Sequence, residues 1–291
     1  MKIKKSLLYV GLVIVILSFV GNYFVFTMSQ LKKPIMLKHY YNSAVLPGSI
    51  LELHYIANRS NDIDIQWIII PGIENEFYSP LYGTSYGQPY KHYQLKTFHI
   101  EINEHFSDDM NAGALSFDQV TAHLSNGEKM IMPIGEITLF NQNDMTLERQ
   151  SSGGSSDNTG FQIFKTDKDI EITGVDLPFA NDLKSALTLK VNSNQVELER
   201  NVNAPVPEII QNGKLITSDV FPLALKKDEL LSVTHKFLFN QDDLLRFNYY
   251  QMDGKLHGNE QNGQKFTDFF SLSYRPSFEV KDLRAIIKEG E

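Results

Sequence analysis

The chain has 291 residues, 42% of them hydrophobic, and no cysteine. That length allows about two ordinary domains, and the lack of thiols excludes disulfides, thiolate zinc sites, cysteine nucleophiles and a lipid-modified cysteine. Three of the 27 basic residues and none of the 35 acidic ones precede Met28, so the remainder is acidic by eleven charges, spread without a basic block that could displace counterions from a nucleic acid.

The N-terminal tail, residues 1–6, carries Lys2, Lys4 and Lys5. Leu7–Met28 then runs without a charge, about 33 Å as a helix against a bilayer core of about 30 Å. Tyr9 and Tyr23 stand near its two ends, where amphipathic rings suit the interface. A cleaved signal peptide is the competing reading. Its apolar region is usually shorter, about 7–15 residues, and the best small-x-small triplet here, Thr27-Met28-Ser29, sits at the far end. The expectation is a retained single-pass anchor in the cell membrane. The basic flank puts the N-terminus in the cytoplasm and the rest of the chain outside.

Beyond the anchor, apolar residues alternate in period two, as half-buried strands require. Ile63, Ile65, Trp67 and Ile69 share one face; Phe98, Ile100 and Ile102 share another. Asn126-Gly127 divides Val120–Leu124 from Met130–Ile134 as a hairpin turn would. Gln150–Gly160 holds serine and glycine but no large apolar residue, and reads as a flexible linker. After it, Leu187, Leu189 and Val191 alternate, and Ser193-Asn194 is expected to turn them back onto Val196–Leu198. Val233, His235, Phe237 and Phe239 form a further strand pattern. Asn212-Gly213, Asp253-Gly254 and Asn262-Gly263 read as turns, and Val280–Glu289 as a short helix with Leu283, Ile286 and Ile287 as its apolar stripe. The expected fold is mostly β: the transmembrane helix, then two antiparallel β-sandwich domains at 34–149 and 161–291 joined by the 150–160 linker, with a C-terminal helix.

Gly83-Thr84-Ser85-Tyr86-Gly87 matches the G-x-S-x-G of serine hydrolases, but Pro80 and Pro89 flank it where that chemistry needs a strand and a helix. His92, His99 and His105 match no zinc spacing, and His235 reads as a core histidine. The acidic pairs Asp167/Asp169 and Asp242/Asp243 lie in no calcium-loop pattern. No catalytic residue, metal ligand or cofactor is nominated. Tyr78, Tyr82, Tyr86 and Tyr90 recur every four residues in a Pro/Gly-broken stretch, so a long irregular loop fits them better than a helix, and such a loop could serve as a ligand-recognition surface. The plainer reading of the same loop is that these rings fold back and cap their own sandwich. The functional expectation is a binding or accessory module of a membrane or envelope assembly, with a protein or polysaccharide partner and no nucleic acid. An extracytoplasmic hydrolase is the alternative.

Overall fold

The computed structural model describes residues 5–60, 63–73, 76–78, 90, 92–102, 113–141, 145–183, 185–201, 213–217 and 219–290. Helix α1 (Lys5–Met28) is apolar on every side, and its Tyr9–Met28 portion is long and apolar enough to cross a membrane. It ends without a flexible tether. Leu31 is already buried in the first core, and its backbone is held at both ends by one side chain. Its N–H donates to Asn58 Oδ1 at 2.8 Å, and Asn58 Nδ2 donates to its carbonyl at 2.7 Å. The Phe26 ring also meets His92 edge-on, with centroids 6.3 Å apart.

Strands β1 (Ile35–Met36), β2 (His39–Val45), β3 (Ile50–Asn58), β4 (Ile65–Ile69), β5 (Glu76–Tyr78) and β6 (Tyr93–Glu101) follow, then the hairpin β7 (Leu115–Leu124) and β8 (Lys129–Asn141). Asn126-Gly127 makes that hairpin's turn, with Gly127 at φ 84°, where a side chain would be strained. The second half contributes β9 (Leu147–Gly154), β10 (Thr159–Thr166), β11 (Ile170–Asp176), α2 (Ala180–Leu183), β12 (Leu187–Asn192), α3 (Gln195–Asn201), β13 (Lys214–Leu215), β14 (Leu223–Leu225) and β15 (Leu230–Phe237). A 3-10 turn (Leu244–Phe247), β16 (Tyr249–Glu260), β17 (Lys265–Tyr274) and α4 (Val280–Gly290) complete it.

Three sheets result. One is three-stranded, β1-β3-β6; one is five-stranded, β13-β12-β15-β10-β9. The third is nine-stranded, β14-β11-β16-β2-β8-β7-β4-β5, with β17 on β16. Two of its pairings, β16 with β2 and β2 with β8, are parallel, a departure from the antiparallel expectation. Alternation on β2 explains how this sheet serves two cores: Tyr41 and Val45 join the first, while Tyr40 packs on the second. Tyr249 and Tyr250 divide the same way on β16. Successive side chains point to opposite faces, so the nine-stranded sheet carries one core on each face. The expected halves thus share hydrogen-bonded strands, and Phe247, Tyr249, Phe278, Leu283 and Ile287 from the C-terminal half belong to the first core.

Several expectations change. Gln150–Gly160 is no flexible linker but most of a hairpin, with β9 paired to β10 along Leu147–Gly154. Serine and glycine need no core face when the strand lies at a sheet edge, and Asn158 at φ 61° makes the turn. Asp253-Gly254 lies within β16 and is not a turn. Its glycine makes room for the Phe270 ring, which a Cβ would strike, and the Asp253 carboxylate accepts the Ala44 N–H at 2.7 Å. Val196–Leu198 is helical rather than extended, because Leu198 covers Phe161 and Ile163 on the outer face of the five-stranded sheet. Asn262-Gly263 does turn β16 into β17, and α4 buries Leu283 and Ile287 as its spacing predicts. Gly213 takes φ 120°, while Asn212 lies outside the described residues.

Candidate functional site

Strand β17 is an edge of the nine-stranded sheet, paired on one side to β16. Beside it lie β3, on the face of the first core, and the β9–β10 hairpin with β15, on the other. A cleft of about 860 Å³ opens where these elements meet. Its mouth carries Glu52, Arg149 and Arg275, and its walls include Gln251, Ser271 and the backbone of Ser152–Ser156.

Glu52 organises one wall. Its carboxylate takes Arg275 Nη2 at 2.9 Å, with His99 Nδ1 at 3.8 Å and His54 Nε2 at 3.9 Å. The last two exceed hydrogen-bond reach. Tyr41 donates its hydroxyl to the Glu52 carbonyl at 3.0 Å. His54 is buried and stacked on Tyr249, with centroids 3.9 Å apart, and its Nδ1 meets Thr97 Oγ1 at 2.9 Å. Burial first, then the charges of His39, Arg275 and His99, hold its pKa down to about 2. Behind it, His39 Nε2 accepts the His54 N–H at 2.8 Å while its Nδ1 donates to the Ile134 carbonyl at 3.3 Å. That pairing fixes a neutral tautomer, and burial lowers its pKa to about 3.

The opposite wall is built on a close approach. The His235 ring lies against Gly160, where a Cβ would collide with it. Burial lowers the pKa of His235 to about 4. Gln162 crosses between sheets, its Nε2 donating to the Ser271 carbonyl at 2.7 Å. The start of β9 is anchored by Asp268, whose carboxylate accepts the N–H groups of Thr146 at 2.9 Å and Leu147 at 2.6 Å. Burial, ahead of these bonds, raises the Asp268 pKa. Beyond this anchor β9 pairs, among the described residues, with β10 alone, and its other edge is open.

Of the four tyrosines expected to form a recognition loop, the two described ones, Tyr78 and Tyr90, do not line this cleft. Tyr78 lies on β5 rather than on irregular backbone; it is exposed and leans on Trp67, with centroids 5.9 Å apart. Tyr90 is half-buried against the first core and donates to the Phe278 carbonyl at 3.0 Å, so it caps packing. Tyr82, Tyr86, the Gly83–Gly87 motif and His105 lie outside the described residues. Asp169 holds Lys226 Nζ and the Lys227 N–H, both at 2.9 Å, and Asp243 caps the 3-10 turn. Among the described residues no cluster of three or more His, Asp or Glu is arranged to hold a metal.

Sequence reasoning missed Tyr41, Glu52, His54, Arg149, Tyr249 and Arg275. The one local signal is on β3, where Glu52 and His54 share a strand face within the otherwise apolar run Ile50–Ala57. No family model and no curated protein matches this chain.

Proposed function

We propose that this chain is a single-pass, membrane-anchored extracytoplasmic binding module, and that it captures an extended polypeptide segment by strand addition on β9. The observation that carries this reading is the open edge of β9 beside the cleft. It is eight residues long, and beyond a bulge at Gln150 its Ser151–Gly154 portion is small-sided and free of the lysine and proline that usually guard an edge. Backbone groups of such an edge supply affinity, and neighbouring side chains supply selectivity. Arg149, Arg275 and Gln251 are the neighbours here. Binding is favoured over hydrolysis because the two histidines lining the cleft are not paired with a serine: His54 meets Thr97, a buried hydroxyl on β6, and the His235 ring packs against Gly160. General-base activation of a serine needs the two within about 3.2 Å.

Proline at an outward N–H tests this. Ser155 N donates to the Thr159 carbonyl at 2.8 Å, so the next bonded pair is Gly153 with Phe161, and the Ser152 N–H points outward. Ser152→Pro should leave the β9–β10 pairing intact and abolish recovery of a protein partner from solubilised membranes. An unchanged partner with Ser152→Pro would sink strand addition. Recovery of polysaccharide in place of protein would move the cleft to the other ligand class.

A further inference from the structure

A second cavity, about 460 Å³, lies away from the cleft. Its walls are apolar and include Met36, Met130, Met132, Leu245, Phe247 and Ile286. Methionine side chains adapt to irregular apolar shapes. Two large side chains at its rim face solvent, Ile131 at 62% and Leu244 at 59% exposure, so its apolar character continues outward.

Strand registers show which end of the ectodomain this groove occupies. The chain leaves α1 at Met28 and is latched to Asn58, the last residue of β3. Four residues back along β3, the His54 N–H meets His39, which is paired with Gly135 on β8 and Tyr249 on β16. Met130–Pro133 precede Gly135, and Leu244–Asn248 precede Tyr249; both strands run parallel to β2, away from α1. These segments therefore lie on the α1 side of His39. At roughly 3.3 Å per residue, Met130 is about 17 Å and Asn58 about 13 Å from that level. The groove thus opens at the height where the helix leaves the fold. Its rim carries exposed Lys33 and Lys38 against a single carboxylate, Glu289, in an ectodomain that is acidic as a whole.

We infer that this groove takes one acyl chain of an anionic phospholipid from the bilayer that α1 crosses, with the phosphate against Lys33 and Lys38. The inference rests on α1 being a retained span. Three observations select this occupant over another protein: continuity with the span, an apolar floor with exposed apolar rims, and the sign of charge at the mouth. Its volume falls within the roughly 300–1,000 Å³ of small-molecule pockets.

The test uses the full chain in bilayer discs of phosphatidylcholine, with a photoactivatable group placed mid-chain on either phosphatidylglycerol or phosphatidylcholine, and adducts mapped by mass spectrometry. Adducts are expected on Met130–Pro133 and Leu244–Leu245 as well as on α1, more from phosphatidylglycerol than from phosphatidylcholine. Leu46 and Ile50, exposed apolar residues at the opposite end, should stay unlabelled. Ile131→Asp with Leu244→Asp, both surface changes that should leave the melting curve unaltered, should cut groove labelling on the order of tenfold. Lys33→Glu with Lys38→Glu should erase the headgroup preference. Labelled α1 with an unlabelled groove overturns the inference and leaves the span standing. Unlabelled α1 overturns both. Equal labelling from the two lipids, or cross-links joining two copies at the groove, also overturns it.

Discussion

The two cores differ in where they keep their charge. The first buries an ion pair: Lys96 Nζ lies 2.6 Å from Asp64 Oδ2, and Tyr55 donates to Asp64 Oδ1 at 2.7 Å. Asp64 also accepts the Ile65 N–H at 2.9 Å, so its oxygens are well used. His39 and His54 stand nearby, buried and neutral. The second core holds a cluster of rings, Phe237, Phe239, Tyr250 and Tyr274 in mutual contact, and the buried carboxylates beside it, Asp253 and Asp268, accept backbone N–H groups in place of a buried lysine. Its lysine pairs sit outside, as Lys226 with Asp169 and Lys165 with Asp228. A core with an internal ion pair depends on keeping both partners. A core of rings depends on shape.

That contrast can be broken or sharpened by experiment. The largest effect should come from ending the chain after Gln150. The remaining first half would lose β16 from its sheet and Tyr249, Phe278, Leu283 and Ile287 from its core, and should give no cooperative melting transition. A well-folded 1–150 fragment would show that the two cores are independent. Next is Lys96→Met, which leaves Asp64 buried without its cation and should cost about 3–5 kcal/mol by urea denaturation.

Acid should then act on both cores, through His39 and His54 in the first and through His235, which burial holds down to about 4, against Phe237 of the second. His39 and His54 have folded pKa values of about 3 and about 2, below the ordinary histidine value of about 6.5. Below about pH 6.5 the unfolded chain binds protons that the folded chain refuses, so their contribution is present at neutral pH. It is lost as pH falls toward the folded values, on the order of a few kcal/mol in total. Melting followed from pH 7 to pH 4 should show this decline, and His39→Gln should make it shallower. In the second core, Gly254→Ala places a methyl group against the Phe270 ring and should cost about 1–3 kcal/mol with little pH dependence. Smallest of all is Lys226→Ala. Its exposed pair should leave the melting temperature within error, which would separate surface charge from the buried kind.

Much of the fold is legible locally. Period-two alternation marks Phe98–Ile102 and Leu187–Val191, and Asn-Gly marks the turns at 126–127 and 262–263. At Ile65–Ile69 it finds the strand and misses the face: a bulge after Ile65 puts Ile68 and Ile70 in the core in place of Trp67 and Ile69. A charge-free run of helical length marks α1. Composition misleads where glycine serves packing rather than turning, as at Gly254 under Phe270, and where a Ser/Gly segment is an edge strand, as in β9. Of the cleft, only Glu52 and His54 on β3 leave a local trace. The cleft joins Glu52 to Arg275, and Tyr41 to Gln251 through the β2–β16 pairing, and no periodicity within a strand names its partner two hundred residues away. Tyr90 shows the same limit from the other side: its composition suggests recognition, but its hydroxyl is committed to Phe278.

The Asn58 clasp on Leu31 leaves only Ser29 and Gln30 between the helix and the folded body. There is no slack to let the body tumble on a string. Glu52 lies six residues up β3 from Asn58, so the mouth of the cleft stands at a set altitude of roughly 20 Å above the clasp. On the proposed membrane-anchored reading, such a body would work as a gauge, meeting what passes at that altitude and missing what passes higher. Turning α1 about its own axis would swing the mouth through the same angle, so a helix neighbour inside the membrane could aim it.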